Sequence, residues 1–363
     1  MKAVIGAGPA GSYYASQEKS QDVHLFEDHK KIGTPVACTG IVTDAIEGFL
    51  KVPRRLVVSK IKQFKIIAPN GKATYVDLKK TNKVMDRARF DQYVFEKAVD
   101  NGAHVHLGES FRGYRTIGKG LYRMKTSKRS YDVPMIVGAD GPKSSVARSA
   151  GLYGKRQFVQ GWQARCKFPE LENGVTEIHL GLGEFSWVVP EDDKIARVGV
   201  IGYNNAALKR DYKKLLGASK IIEDQSGIIP LYNPKQKIRK GSEDIFLLGD
   251  AATHVKATTY GGIIYGMIAG KYLAEDKETF VKNVDKKLSK DLWISLKMRE
   301  YMNHMSEKQA NDLITIFQKK TNNDILAEHD RNFPSKFVVQ LLMKEAKLWK
   351  LGFDIFKNKL KSR

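Results

Sequence analysis

Residues 2–27, KAVIGAGPAGSYYASQEKSQDVHLFE, contain the pattern that decides the fold. The short apolar run at residues 2–6 is typical of a buried strand, and a glycine turn follows it directly. Residues 9–20 have the pattern of a helix, and residues 22–27 return to a strand. The start of the chain therefore predicts a βαβ unit.

The turn between the first strand and the helix has the form GxGxxG, with Gly6, Gly8 and Gly11 as its glycines. Gly6 allows the tight turn, Gly8 lets a pyrophosphate approach the backbone, and Gly11 allows the helix to pack closely on the strand. The free N–H groups at the start of the helix then face the phosphates. Glu27, at the end of the second strand, stands where an acid accepts hydrogen bonds from a ribose. Together these residues predict a dinucleotide-binding domain.

Two later strands also end in glycine turns that carry an aspartate. Asp140 lies in the first of them, VGADG at residues 137–141, and Asp250 lies in the second, FLLGDAA at residues 246–252. Ligands of open α/β sheets bind at the carboxyl ends of the strands, which is where both aspartates are expected. Either turn alone is more typical of a structural turn than of a binding site.

The rest of the sequence predicts two further regions. Residues 56–80 alternate apolar and polar side chains around a Pro-Asn-Gly turn, which is typical of an antiparallel hairpin. Residues 155–235 are rich in aromatic and β-branched residues and predict an antiparallel sheet, whereas the chain from about residue 283 onward has a helical pattern. We therefore expect an α/β protein with a discontinuous nucleotide-binding domain, an inserted sheet domain and a helical C-terminal region. Their expected bounds are 1–55, 81–150 and 240–280 for the first, 56–80 and 151–239 for the second, and 281–363 for the third.

The composition is that of a folded chain with a large excess of positive charge. Its 363 residues include 62 Lys and Arg against 40 Asp and Glu, a formal net charge of +22. Such an excess favours anionic partners such as phosphate-bearing ligands or acidic lipid head groups, although it also occurs as a general solubility device. Because no nucleic-acid-binding motif is present, we expect no nucleic-acid partner.

The lengths of the apolar runs and the number of cysteines indicate which cellular location and which kinds of site are expected. No apolar run approaches the ~20 residues needed to cross a bilayer, and no signal peptide is readable. The two cysteines, Cys38 and Cys166, are too few for a disulfide framework or a four-cysteine zinc site. We therefore expect a reducing, cytoplasmic location and no metal site.

In their order and spacing, the three glycine turns resemble those of FAD-dependent oxidoreductases of the aromatic-hydroxylase type. The segment Arg87-Ala88-Arg89-Phe90-Asp91 is similar to an Arg-x-x-Phe-Asp segment of that superfamily. The resemblance covers about residues 1–275. It implies a Rossmann-type, three-layer FAD-binding domain, with the adenosine ribose on Glu27 and the ribityl chain or pyrophosphate in contact with Asp250.

Three more segments resemble the geranylgeranyl reductase family within that superfamily. They are a cysteine-bearing loop at residues 35–40, an aromatic-x-Trp-x-x-Pro segment at residues 185–190, and a flavin-side loop at residues 255–263. This sequence departs from the family in that loop, because Ala257 replaces the usual proline and Tyr260 the usual glycine. A bulky Tyr260 is expected to narrow access to the flavin and so to affect the size of the substrate.

The resemblance implies which residues form the site. Those expected to contact FAD are Gly6, Gly8, Ala10, Gly11, Glu27, Cys38, Thr39, Gly40, Arg87, Asp250, Gly262 and Ile263. Those expected to contact the substrate are Phe185, Trp187, Pro190 and Tyr260. Cys38 is also the candidate for positioning the substrate alkene or supplying a proton, and the alternative is that it is a small buried hydrophobe.

The function that the resemblance implies is saturation of C=C bonds in geranylgeranyl chains of archaeal-type membrane lipid precursors, by hydride transfer from reduced flavin. A flavin monooxygenase or halogenase is an alternative, because flavin halogenases also contain an aromatic-x-Trp-x-x-Pro segment. A non-catalytic prenyl-lipid-binding protein is another. The sequence does not name the electron donor. It has no second dinucleotide motif for NAD(P)H, and flavoproteins of this type also accept electrons from ferredoxin-like proteins, so both donors remain open.

Residues 337–363 carry seven basic side chains and two acidic ones, with apolar residues at helical spacing. A basic amphipathic helix can lie in an anionic membrane interface, so the protein is expected to bind the inner face of the cell membrane peripherally. The alternative is a helix packed on the body of the protein with its lysines in solvent.

Overall fold

The computed structural model describes residues 1–19 and 22–361, and for residues 355–361 it describes the backbone alone. The chain divides into two compact units, each built from three segments. The first unit comprises Met1–Val36, Arg87–Gln157 and Ile229–Trp293, and the second comprises Ala37–Asp86, Phe158–Ile228 and Ile294–Arg363.

The strands are β1 (Lys2–Ile5), β2 (Val23–Glu27), β3 (Ile41–Val42), β4 (Val57–Ile67), β5 (Ala73–Met85), β6 (His104–Leu107), β7 (Phe111–Gly118), β8 (Leu121–Thr126), β9 (Ser130–Val133), β10 (Met135–Gly138), β11 (Phe158–Lys167), β12 (Val175–His179), β13 (Phe185–Pro190), β14 (Ile195–Gly202), β15 (Lys220–Pro230) and β16 (Ile245–Leu247). The α-helices are α1 (Pro9–Gln17), α2 (Arg87–Asp100), α3 (Ser145–Ser149), α4 (Asn205–Leu216), α5 (Ile263–Glu275), α6 (Phe280–Val284), α7 (Lys290–Met302), α8 (Glu307–Phe317), α9 (Lys320–Glu328), α10 (Val338–Lys344) and α11 (Ala346–Lys361).

The first unit is built on a parallel sheet with the strand order β16-β10-β1-β2-β6. Its strands are short. Helices and a small sheet cover both faces, so the residues on both sides of most strands are apolar instead of alternating between apolar and polar. On one face α1 packs against α2 and α5. On the other, the meander β7-β8-β9 lies against the sheet, and the Tyr131 ring meets the Phe26 ring at 5.1 Å between centroids. The predicted βαβ opening and the three-layer FAD-type fold are confirmed.

The second unit contains an eight-stranded sheet with the order β15-β11-β14-β13-β12-β4-β5-β3. The predicted hairpin is present as β4 and β5, and most pairs are antiparallel as expected. The pair β12–β4 is parallel, so the sheet is mixed rather than purely antiparallel. The physical reason is that β4 comes from an earlier chain segment, so no tight turn forces it to run against β12.

The observed boundary between the units differs from the expected one. Residues 37–55 belong to the second unit rather than to the nucleotide-binding part, because Ile41 and Val42 of β3 pair with Val84 and Lys83 of β5. Residues 294–361 also join the second unit rather than forming a separate region. They are held there in part by Gln318, whose Nε2 donates to the Ala73 carbonyl at 2.8 Å. Helix α4 lies within the region expected to be all sheet, and the Asn204 side chain caps its first turn.

The C-terminal helices bury one face and expose the other. Leu341 of α10 packs with Ile325 and Phe337, whereas the side chains of Met343 and Trp349 are 81% and 63% exposed. Of the basic residues predicted in this segment, the side chains of Lys357, Lys359 and Lys361 and the whole of Arg363 lie outside the described residues.

Within the described part of the chain, none of the helices combines the length and the apolarity that a membrane crossing demands.

Candidate active site

The Gly6–Gly11 turn has the backbone form that a phosphate-binding turn needs. Gly6 has φ +100°, and a Cβ there would lie 2.4 Å from the carbonyl oxygen of Ala139. A Cβ at Gly11 would lie 2.1 Å from the Gly6 carbonyl oxygen, so neither position accepts a side chain. Around the Cβ position of Gly8, no heavy atom of the described residues other than its chain neighbours lies within 4 Å. The backbone in front of α1 is therefore open to a phosphate group.

The other two glycine turns lie against this one. The Cα of Asp140 is 2.9 Å from the Cβ position of Gly6. The Cβ of Ala10 lies 3.0 Å from the Cβ positions of both Gly249, in the third turn, and Gly266, in α5. The three motifs that lie far apart in the sequence thus meet around the N-terminus of α1.

Both carboxylate oxygens of Asp140 accept hydrogen bonds from residues that directly follow its own glycine turn. Its Oδ1 accepts a hydrogen bond from Ser144 Oγ at 2.6 Å, and its Oδ2 accepts one from the Val146 N–H at 3.0 Å. Burial raises the pKa of Asp140, and these hydrogen bonds oppose the increase. Of the two motif aspartates, Asp140 is therefore the one with a structural role.

Glu27 lies beside the glycine turn with acceptor capacity to spare. Its Oε2 accepts a hydrogen bond from the Ala7 N–H at 2.9 Å, and its Oε1 accepts from the backbone N–H and the ring of His29 at 3.0 and 2.7 Å. Burial raises the pKa of Glu27, but hydrogen bonds from Asp28, Ala7 and His29 outweigh burial and hold the pKa below 4.5. An ionised carboxylate has about four acceptor positions; Ala7 and His29 use three of them, and the fourth is available to Asp28 or to a ribose hydroxyl.

Asp250 lies at the N-terminus of α5. A Cβ at Gly262, the N-cap of that helix, would lie 2.9 Å from Asp250 Oδ1, so only glycine allows this approach. Burial raises the pKa of Asp250 from 3.8 to about 6, and the charges of Arg87 and Arg156 lower it by less. The carboxyl group is thus held at the positive end of the α5 dipole.

Arg87 was expected to contact the cofactor, and its guanidinium is oriented within α2. Its Nη2 lies 3.0 Å from both carboxylate oxygens of Asp91. The Arg-x-x-Phe-Asp segment therefore contains an internal ion pair, and Arg87 acts on Asp250 through its charge.

Arg156 and His254 lie at the second and third glycine turns, and of the two only Arg156 has no signal in the sequence. Arg156 donates to the carbonyls of Ala251 at 2.6 Å and Pro142 at 3.0 Å, which joins the second and third glycine turns. His254 is 3% exposed, and its Nδ1 has no hydrogen-bond partner among the described residues. Burial lowers its pKa to about 4, so the ring is neutral at pH 7 and presents a buried nitrogen to a ligand. Arg156 lacks a sequence signal because its partners are backbone carbonyls.

Tyr260 and Ile263 frame the loop expected beside the flavin. The Lys256 N–H donates to the Gly261 carbonyl at 3.1 Å and closes this loop. Tyr260 has φ +52°, a left-handed conformation that is uncommon for residues other than glycine, and its side chain is 7% exposed. The tyrosine that replaces the usual glycine thus keeps a left-handed backbone, and its ring is buried.

The Cys38–Gly40 loop is fixed by two side chains of the second unit. Thr39 Oγ1 donates to Gln163 Oε1 at 2.6 Å, and Arg197 Nη1 donates to the Thr39 carbonyl at 2.6 Å. The Gly40 N–H donates to Cys38 Sγ at 3.3 Å, and the Cys38 side chain is half-buried. The thiol therefore has a defined position and contact with solvent space.

Gln163 also holds the aromatic segment, which the sequence analysis did not foresee. Trp187 Nε1 donates to the same Gln163 Oε1 at 3.1 Å, and Gln163 Nε2 donates to Gln225 Oε1 at 2.6 Å. Gln163 is 5% exposed, but β11 also contains Gln160 and Arg165, so the sequence carries no signal that sets Gln163 apart. The structure thus brings the Cys38 loop and Trp187 together on one buried amide.

The other two residues of the aromatic segment are also packed within the second unit. Phe185 is 8% exposed, with its ring centroid 5.7 Å from that of Trp187 and the Arg299 guanidinium 5.1 Å from its ring. Pro190 is buried, and its carbonyl accepts a hydrogen bond from Ser59 Oγ at 2.7 Å.

The residues of the first unit fit a flavin dinucleotide. The open backbone at Gly8 suits a pyrophosphate, Glu27 has an acceptor left for a ribose, and the orphaned ring nitrogen of His254 lies within four residues of Asp250. Each of these groups lies at the carboxyl ends of β1, β2 or β16, where nucleotides bind in such sheets.

The raised pKa of Asp250 predicts a pH dependence of stability. Between pH 3.8 and about 6 the folded apoprotein binds a proton at Asp250 that the unfolded chain has released, so the free energy of unfolding falls as the pH rises through this interval. Asp250→Asn removes the titration, so we expect the variant to gain stability relative to wild type between about pH 4.5 and about pH 7. The measurement is thermal unfolding of wild-type and Asp250→Asn apoprotein at both pH values. If the difference in Tm between the two proteins is the same at both pH values, the raised pKa of Asp250 is contradicted.

Glu27→Ala should weaken FAD binding. The charge-assisted hydrogen bonds that the carboxylate makes contribute about 1.5–3 kcal/mol, which corresponds to a dissociation constant raised roughly 10- to 100-fold. The measurement is fluorescence titration of apoprotein with FAD, with the exposed Glu96→Ala on α2 as the control. Equal affinities for the two variants would remove Glu27 from the ribose site.

Curated relatives cover most of the chain, although no protein-family model matches it. Digeranylgeranylglycerophospholipid reductase 3 of Methanosphaera stadtmanae is 27% identical, over 86% of this chain and 89% of the relative. Digeranylgeranylglycerophospholipid reductase of Methanosarcina acetivorans is 29% identical, over 79% of this chain and 77% of the relative.

Solved structures confirm the fold. A geranylgeranyl bacteriochlorophyll reductase-like protein from Thermoplasma acidophilum matches with a TM-score of 0.83 and 20% identity, over 96% of this chain and 98% of that one. The halogenase PltM, solved in complex with FAD, matches with a TM-score of 0.64 and 14% identity, over 92% and 85% of the two chains. The motifs, the fold and the relatives agree: the chain is an enzyme that is similar to geranylgeranyl reductases and has the fold of FAD-dependent flavoproteins.

Proposed function

We propose that this enzyme binds FAD and saturates C=C bonds in the geranylgeranyl chains of archaeal-type membrane lipid precursors. The names of the relatives, which are reductases of digeranylgeranylglycerophospholipids, support the substrate class. The observation in the molecule that carries the proposal is the shared hydrogen bonding of Thr39 and Trp187 to Gln163, because it joins the cysteine loop to an aromatic, apolar segment.

The first unit would hold the cofactor. The Gly6–Gly11 turn and the N-terminus of α1 would bind the pyrophosphate, Glu27 the ribose, and Asp250 with the N-terminus of α5 the ribityl chain. When bound and reduced, FAD supplies a hydride, and that hydride is what an unactivated alkene needs. The loop with Tyr260 and Ile263 would exclude water from the side of the flavin that it faces.

The second unit would bind and orient the prenyl chain. Phe185 and Trp187 offer apolar ring surface, and Gln163 and Gly199 fix the Trp187 ring, since a Cβ at Gly199 would lie only 2.3 Å from it. A fixed ring holds one double bond in register and so raises the effective concentration of the reacting carbon.

Cys38 would supply the proton that completes the reduction. Saturation adds one hydride to one alkene carbon and one proton to the other, so the balance requires an acid on the protein or from solvent. The Cys38 sulfur accepts a hydrogen bond from Gly40, which leaves its S–H free to point to the substrate, and its half-exposed position lets solvent reprotonate it.

The alternative is a flavin halogenase or monooxygenase, since PltM and other flavin-dependent halogenases share the fold. Enzyme reduced with dithionite under anaerobic conditions is incubated with a digeranylgeranyl lipid and the product is analysed by mass spectrometry. This design makes the outcome independent of whether NAD(P)H or a ferredoxin-like protein is the natural donor. We expect two hydrogen atoms added for each saturated bond. An unchanged lipid, together with oxygen consumption when a separate sample of reduced, dithionite-free enzyme is mixed with aerated buffer, would support the alternative.

Cys38→Ala should retain FAD and lose turnover or change which double bond is reduced. Loss of a positioned general acid costs roughly 10²- to 10⁴-fold in rate when no other acid replaces it. The matched control is Cys166→Ala, which removes the other thiol from the buried cluster around Val198. Wild-type rate and product pattern in Cys38→Ala would assign Cys38 to packing.

We also propose that the C-terminal helices attach the enzyme to an anionic membrane surface, where prenyl lipids reside. Lys344, Lys347 and Lys350 are exposed beside Met343 and Trp349, so positive charge and apolar surface occur together. Each Lys near an anionic surface contributes about 1 kcal/mol, which falls off within a Debye length of about 8 Å.

Substituting Met343→Ser and Trp349→Ser together should lower binding to phosphatidylglycerol vesicles at least roughly tenfold, because inserted apolar side chains contribute about 1.5–3 kcal/mol each when fully buried. Co-sedimentation at low and high salt, with phosphatidylcholine vesicles for comparison, provides the measurement. The control replaces Ile221 and Ile222, which are exposed on β15, by serine. Equal binding by both double variants would show that these helices are not the anchor.

A further inference from the structure

A cluster of histidines and carboxylates lies at the amino-terminal ends of β2 and β6. This is the end of the parallel sheet opposite to the nucleotide-binding turns, and neither the family motifs nor the proposed function uses it. His24 of β2 and His104 of β6 are register partners, and Asp22 directly precedes β2. His106 and Glu109 lie next to them in the chain segment of β6.

Three of these side chains bring ligand atoms to one point. One ligand atom each from Asp22, His24 and His104 lies within 4.8 Å of the others. His24 Nε2 is 3.2 Å from Asp22 Oδ1, and two ligands of a tetrahedral Zn²⁺ are separated by about 3.3 Å. His104 is exposed, and Asp22 Oδ2 pairs with the Met1 amino group, so Oδ1 is the oxygen that Asp22 directs to His24.

The buried side of the cluster supports this arrangement through one hydrogen bond between histidine rings and a carboxylate at ion-pair distance from the second ring. His24 Nδ1 is 2.8 Å from His106 Nε2. If His24 Nε2 faces an ion, the His24 proton is on Nδ1 and is donated to His106 Nε2. The proton of His106 is then on Nδ1, which lies 3.7 Å from Glu109 Oε2. Metal-ligating histidines typically donate their other N–H in this way to an orienting partner.

The outer partners are themselves fixed. Glu109 is 3% exposed and accepts hydrogen bonds from Thr126 Oγ1 at 2.6 Å and the Tyr131 hydroxyl at 2.9 Å. The ring of His106 stacks on that of Phe26, with centroids 4.3 Å apart and planes 9° apart.

We propose that Asp22, His24 and His104 form a binding site for a divalent transition-metal ion of the zinc class, which clips β6 to β2. Two imidazoles and one carboxylate form a donor set that Zn²⁺ accepts, with water as the fourth ligand. The site is separate from the FAD cradle and revises the expectation that the protein has no metal site. A second group of similar type, Glu27, Asp28 and His29, belongs to the ribose-binding end of β2 and provides an internal comparison.

The test is isothermal titration of the FAD-loaded, full-length protein with Zn²⁺ alone. We expect one saturable site per chain. His104→Ala should weaken it at least about tenfold, and His106→Phe, which keeps the stacked ring and removes the Nε2 acceptor, should weaken it roughly 10- to 100-fold. His304→Ala, at an exposed histidine outside the cluster, is the control and should bind Zn²⁺ as wild type does, whereas His29→Ala tests the group at the ribose-binding end of β2.

Each outcome has one meaning. A flat wild-type isotherm, or His104→Ala binding as tightly as wild type, overturns the proposal. Loss of binding in His29→Ala alone assigns the ion to the ribose end of β2 and also overturns it. His104 is exposed, so its substitution leaves the fold intact, and the flavin absorbance of every sample verifies this. Lipid reduction is not part of the readout, so failure of the reductase proposal leaves the result interpretable.

Discussion

The close approach of the Gly6 backbone to the Ala139 carbonyl is the constraint on which the first unit depends. It brings the end of β1 next to the end of β10, so that the first two glycine turns share one edge of the sheet. Small residues also line the neighbouring contact, where Ala10 of α1 meets Gly249 and Gly266. Because these residues are small, α5 packs directly on α1. A single methyl group at Gly6 or Gly11 would separate these elements, and Glu27 and Asp250 would no longer be close to the same helix N-terminus.

The second unit is organised by a polar contact rather than by close backbone packing. One oxygen of Gln163 accepts from Thr39 and Trp187, and its nitrogen donates to Gln225, so every one of its hydrogen bonds sets the direction of the amide. A buried network of this kind stabilises when fully satisfied and destabilises when one partner is lost. The cysteine loop and the tryptophan therefore respond together to any change at Gln163.

Local signals explain which parts of the fold were readable from the sequence. The glycine turns at Gly6 and Gly249 and the hairpin turn at Pro69-Asn70-Gly71 each depend on residues within a short window, so spacing and residue type predict them. The parallel pairing of β12 with β4 depends on partners more than a hundred residues apart, and no local pattern encodes it.

The same distinction applies to the site. Glycines and the acid at Glu27 form a motif, and the structure places them together as that motif requires. Gln163 contacts Thr39 across 124 positions, and Arg156 contacts Ala251 across 95, so their roles emerge only from the tertiary structure. Tyr260 was recognised as a departure from the family, but its left-handed backbone and burial follow from the packing of its loop.

The strand order of the parallel sheet has a consequence for biosynthesis. The central strand β1 is the first to leave the ribosome, but its neighbour β10 and the edge strand β16 follow only after residues 135 and 245. Until then one side of β1 offers unpaired N–H and C=O groups, and such an edge is a template for aggregation. Sequence separations this long also slow folding, because the entropy of loop closure is lost before the contacts form. This edge of the nascent chain is therefore expected to need protection, for example by chaperones, until β10 has been made.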